Sequence, residues 1–178
     1  MRQWTRVPAK PVQVVIVLII AVVAWSAPID GVPQRNIPSQ VHSLATLDRI
    51  SLAFSPPLPD ELRRAGLSEQ EILAACAKGL SDAGFEIVAA MGVPQWRMAA
   101  ILATDDQEPN QRAYALLATL DQSVRVERLD RTLTLPTYLD LVVGLNAKED
   151  MKKQVKVGFD KMVTNLIKRA RLADSTRE

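Results

Sequence analysis

The chain holds one cysteine and one histidine, which excludes an internal disulfide framework, a cysteine-based zinc site and every multi-histidine metal site. Its glycines all stand singly, so it has no glycine-rich phosphate loop. Aromatic residues are scarce, at 4%. Those beyond the first segment (Phe54, Phe85, Trp96, Tyr114, Tyr138 and Phe159) are scattered at core spacing and build no stacking platform. The formal charge of +2 is too small for a general polyanion binder. What remains is a chain of 178 residues, 48% hydrophobic and 24% charged, with room for one ordinary globular domain.

Acidic residues are absent from the first ten positions, MRQWTRVPAK, where Arg2, Arg6 and Lys10 lie. An uninterrupted apolar run from Val14 to Trp25 follows, and no charge occurs between Pro11 and Ile29. A basic flank ahead of an apolar segment is an export pattern. The positive-inside rule then holds the N-terminus in the cytoplasm and sends the rest across. Residues 1–26 are therefore expected to be a signal peptide, with cleavage after Ser26 in Ala24-Trp25-Ser26, or an uncleaved signal anchor. Retained, residues 11–29 would at ~1.5 Å per residue nearly span a ~30 Å hydrocarbon core, making the membrane a partner. The expected location is extracytoplasmic: a single-pass inner-membrane protein with its N-terminus inside, or a secreted or periplasmic one. Cys76 lies too far downstream for lipoprotein processing. Beyond residue 26, nineteen basic residues face twenty acidic ones, so nucleic acid is not an expected partner.

Residues 27–46 carry Pro28, Pro33, Pro38 and Gly31 without periodicity and read as an extended tether. The folded domain is expected over 47–173, with a disordered tail at 174–178. Ile50, Leu52 and Phe54 alternate with less apolar residues as a first strand. A helical turn is expected between Pro59 and Gly66. Ser68 to Glu71 reads as a capping box opening a helix with Ile72, Cys76, Leu80 and Ala83 on one face, closed at Gly84. Phe85 and Ile87 mark a short strand, and Gln95 to Ala103 a central strand, apolar on both faces. A long strand from Tyr114 towards Leu129 turns at Asp130-Arg131 into another around Leu133 to Val143, where Pro136 points to an edge or bulge. Asn146 to Glu149 reads as a second, looser capping box. The helix after it carries Met151, Val155, Phe159, Met162, Val163, Leu166 and Ala170 on one stripe, and Gly158 within it predicts a close packing contact.

The element order is β-α-β-β-β(-β)-α behind the export segment. It predicts an α+β two-layer sandwich: a mostly antiparallel sheet of four or five strands, two helices on one face, and the other face partly open. Element order behind an export leader resembles that of small bacterial envelope assembly proteins, among them the lipoprotein that plugs the lipopolysaccharide translocon. The likeness is one of topology, lacks the lipid-modified cysteine and transfers no functional residue.

Catalytic, cofactor and metal sites are all expected to be absent. His42 falls in the tether, where no base can be held in place. Cys76 sits on the buried helix stripe as a small hydrophobe. Asp105, Asp106 and Glu108 lack the glycine and spacing of a calcium loop. Glu69 and Glu71 belong to a helix start. From Lys148 onward nine basic residues face five acidic ones, which would suit a solvated face or an anionic lipid surface. The function expected is non-enzymatic, an extracytoplasmic domain that binds a protein partner. Trp96, Arg97, Met98 and Ile101 are the candidate surface for a partner or ligand. The alternatives are a small hydrophobic-ligand or lipid carrier, with Met98, Ile101, Met151 and Met162 lining a cavity, and a hydrolase working through Asp105 or Asp106.

Overall fold

The first strand is short because Pro56, Pro57 and Pro59 follow it. The computed structural model describes residues 39–104, 108 and 110–175. The leader, most of the tether, Asp105 and Asp106 lie outside the described residues. The elements are α1 (Ser39–His42), β1 (Arg49–Phe54), α2 (Asp60–Arg64), α3 (Glu69–Asp82), β2 (Glu86–Ile87), β3 (Gln95–Thr104), β4 (Gln111–Val126), β5 (Arg131–Ala147) and α4 (Met151–Ser175). Five strands form one mixed sheet in the order β2-β1-β3-β4-β5. The α+β two-layer sandwich is thus observed.

β3, β4 and β5 form the antiparallel meander that short connections dictate. Around β1 the antiparallel expectation gives way, because β1 runs parallel to both neighbours, β2 and β3. The physical reason lies in β2, which is only two residues long. A strand that advances ~7 Å needs no helix to bring the chain back, so residues 88–94 step across the start of β1 into β3.

α3 starts as its sequence dictates: the Ser68 hydroxyl oxygen accepts a hydrogen bond from the Glu71 amide at 3.1 Å. It ends before Gly84, whose φ of +101° suits a residue without a Cβ. The looser box at Asn146 does not form. β5 continues through that residue, and a 3-10 turn over Lys148–Asp150 without a side-chain cap leads into α4. A strand paired with β4 down to Gln111 holds Asn146 in the ladder, so it cannot act as a cap. All seven apolar stripe residues of α4 are buried. At ~1.5–3 kcal/mol for each large side chain, that stripe fixes the helix on the sheet.

The tether also ends sooner than expected. α1 falls inside 27–46, and Val41 and Leu44 are buried in the core, so the domain includes residues from 39 onward. Ser43 Oγ donates to the Thr137 carbonyl at 3.2 Å, fastening this segment to β5. At the other terminus α4 continues to Ser175, and Asp174 Oδ1 accepts from the Thr46 amide at 3.0 Å. His42 lies in α1 rather than in a tether and is exposed.

Candidate functional site

Alternation along β3 divides the expected surface in two. Trp96 and Met98 are fully buried under the helices, whereas Arg97 and Ile101 point to the opposite face. Trp96 is fully buried in the core beneath the helical layer. The structure therefore brings Arg97 and Ile101 together and removes Trp96 and Met98 from the surface. Met151 and Met162 are buried on the helix side, away from Ile101. The four residues expected to line a ligand cavity do not share one.

Among the described residues no helix lies on the face carrying Ile101. Register places Ile101, Ala115 and Val143 in one row across β3, β4 and β5. The next row is Ala103, Ala113 and Leu145, and on the other side lie Ala99, Leu117 and Leu141, then Arg97, Thr119 and Leu139. Ile101 is 48% exposed, Val143 58%, Leu145 60% and Leu139 39%. Ala113 and Ala115 on β4 and Ala99 and Ala103 on β3 leave low ground beside the bulkier Leu139, Leu141, Val143 and Leu145 of β5. The charged end is closed on itself: Arg97 pairs with the nearly buried Asp121 at 2.6 Å. Clustered apolar side chains of this size on one face are the informative kind of exposure, unlike a single surface leucine.

β5 is the edge strand, and its free side is less accessible than its length suggests. The Lys148 amide donates to the Asn110 carbonyl at 2.8 Å. By ladder alternation, this turns the amides of Leu139, Leu141, Val143 and Leu145 away from β4. The Leu141 amide is already taken by Asp140 Oδ1 at 3.0 Å, while Asp140 Oδ2 accepts from Asn165 Nδ2 at 2.9 Å. Pro136 offers no amide at all and lies at a register shift opposite Leu120 and Asp121. An inward-held carboxylate and a proline are common guards against strand addition. The face, not the edge, is the open surface.

At the far end of the sheet a cleft of about 800 Å³ is lined by Glu61, Arg64, Asn110, Arg112, Lys148 and Glu149. Arg112 Nε donates to Glu61 Oε1 at 2.8 Å, with Lys148 Nζ 4.0 Å from the same oxygen. Its charges largely neutralise one another. Among the described residues no three of His, Cys, Asp and Glu gather where a metal could sit. Glu108 is exposed. The acids Asp105 and Asp106 invoked for hydrolysis lie outside the described residues. Burial pushes the Cys76 thiol up to about 12, with the Asp160 carboxylate adding to the shift. That holds the sulfur neutral and unreactive near pH 7. Burial first, then Asp140, raises Tyr138 to about 12 against the opposing Arg169 guanidinium, 5.5 Å above its ring.

Sequence reading missed Leu139, Val143 and Leu145. The signal was present: Leu139, Leu141, Val143 and Leu145 alternate strictly, while Tyr138 and Val142 supply the other face. A strand apolar on both faces is expected to be central, as β3 is; β5 carries the same pattern at the sheet edge, where Pro136 points to an edge or bulge.

No helix among the described residues is long and apolar enough to cross a membrane. No family model and no curated protein matches the chain. Among solved structures, it is similar to a minor lipoprotein from Acinetobacter baumannii at 11% identity and a TM-score of 0.40, over 71% of this chain and 92% of that one. It is also similar to the rare lipoprotein B from Shewanella oneidensis at 14% identity and a TM-score of 0.40, over 67% and 91% of the respective chains. A likeness this distant assigns no residue a role in this chain.

Proposed function

We propose that this is a non-enzymatic envelope protein: an α+β domain delivered outside the cytoplasmic membrane by its leader, and binding a protein partner through the bare face of its sheet. The leader supports the location, since Arg2, Arg6 and Lys10 precede an uncharged apolar run. The observation that carries the binding role is the uncovered row of Ile101, Val143, Leu145 and Leu139. The partner's chemistry follows from the face. Its charges are paired, Arg97 with Asp121 and Arg49 with Glu86 towards the β1–β2 end, so the rows through Ile101, Val143 and Leu145 fit an apolar, uncharged surface, such as one side of an amphipathic helix completing a third layer.

A photo-crosslinking residue at Val143, with a control at Lys153 on the exposed side of α4, tests the role in full-length protein in its own membranes. A discrete protein adduct from position 143 that is absent from 153, and lost in Leu145→Arg with the fold intact, is the expected result. Equal adducts from both positions, or none, would overturn it. The location is tested separately by fusing an enzyme active only in an oxidising compartment after Glu178; activity is expected.

A further inference from the structure

β4 and β5 continue well past the rest of the sheet. β3 begins at Gln95 opposite Asp121, while the hairpin runs on through Val126 and back from Arg131. At ~3.4 Å per residue this arm projects about 17 Å. Asp121 and Pro136 mark its base, and a 3-10 turn over Glu127–Leu129 closes its tip. Its apolar side, with Leu133 and Leu135, faces the same way as the helices but lies beyond them, and these residues are 38% and 37% exposed. Leu129 at the tip is 57% exposed.

Other features collect at this end. Residues 88–94 lie beside the arm, where Met91, Gly92 and Val93 share a depression with Ser123 and Thr134; Met91 is fully exposed. The last turn of α4 reaches the base of the arm, as the contact of Asp174 with Thr46 shows, with Leu172 and Arg171 exposed. Arg49, Lys78 and Arg125 are held by Glu86, Asp82 and Asp130. At the tip itself Arg125, Arg128 and Arg131 stand against Glu127 and Asp130, a net of +1. The chain arriving from the leader joins the domain at this end, because α1 is fastened to Thr137 at the base of the arm.

We infer that this end is the membrane-facing end: the arm tip and Met91 enter the interface of a bilayer, and Arg125, Arg128 and Arg131 meet anionic headgroups. Apolar tips ringed by cations bind at such a boundary through buried apolar area together with headgroup attraction. Arginine and lysine stems can lie along the apolar layer while their charges stay in water. The inference rests on the membrane-anchored form of the proposed function and adds an orientation to it. The bare sheet face then stands roughly upright on the membrane, open to a neighbour beside it.

The test uses the full chain carrying Cys76→Ala, reconstituted in vesicles of phosphatidylcholine and phosphatidylglycerol in equal parts. An environment-sensitive label is placed at Leu129→Cys or, at the opposite end, at Glu149→Cys. Nitroxide-bearing lipid is expected to quench the first label several-fold more than the second. The difference should shrink in phosphatidylcholine alone and with Arg128→Glu/Arg131→Glu. Equal quenching of both labels on protein that floats with the vesicles overturns the orientation and leaves the anchor intact. Protein that fails to float overturns the anchored reading and this one together.

Discussion

A single methyl group tests how α4 sits on the sheet. Gly158 lies in the buried stripe, and a Cβ built there would be 2.3 Å from Leu116 Cδ1, 3.6 Å from its Cγ and 3.7 Å from Val142 Cγ1. Leu116 is fully buried, so its methyl has nowhere open to move. Two effects then compete in Gly158→Ala. Helix propensity favours alanine by about 1 kcal/mol, while overpacking a filled core costs roughly 1–3 kcal/mol. The net expectation is a loss of about 1 kcal/mol. Truncating the obstacle reverses the sign. Leu116→Ala alone should cost ~2–5 kcal/mol through its cavity, and in that background Gly158→Ala should stabilise by about 1 kcal/mol. The cycle therefore predicts a coupling of about 2 kcal/mol, well above the ~0.3–0.5 kcal/mol seen for independent sites. Urea unfolding of the full chain in mild detergent, followed by circular dichroism, measures all four species. Additive changes, or a more stable Gly158→Ala in the parent chain, would show that the helix is not seated at this depth.

Phe159→Asp should unfold the domain, losing more than ~4 kcal/mol, because the ring is buried and packs edge-on against Phe54 at 5.8 Å. A normal melting temperature for that variant would place another residue on the core face. Alkaline pH should destabilise the fold. Cys76 and Tyr138 keep their protons to about 12 when buried, against ordinary values of 9.0 and 10.0. The unfolded chain therefore releases these protons first, and stability that is complete below pH 9.0 falls as pH rises towards about 12. Cys76→Ala/Tyr138→Phe should flatten that decline in denaturant midpoints measured across the same range.

Much of this molecule was legible from local pattern. Amphipathic periodicity located α3 and α4, and the serine at 68 and glycine at 84 marked the ends of α3, because caps and helix faces depend on residues within one or two turns. Gly158 announced a close contact for the same reason: a residue that weakens a helix persists where a Cβ would collide. Pro136 likewise marked the edge and the bulge that β5 shows. The loose box at Asn146 misled because a helix cap and a strand end share their residue types. The ladder with β4 decided between them.

By itself, the sequence determined the basic, acid-free first ten residues and the apolar run after them, the α+β class and the lack of a multi-histidine or disulfide chemistry, since these depend on residue inventory and short-range spacing. Tertiary structure alone decided that β1 lies parallel between β2 and β3, that Trp96 and Met98 go under the helices while Arg97 and Ile101 do not, and that the β4–β5 arm projects from the end where α1 joins the sheet. A period of two says that successive side chains part company. Only the placement of helices from elsewhere in the chain says which of the two sides is left facing water.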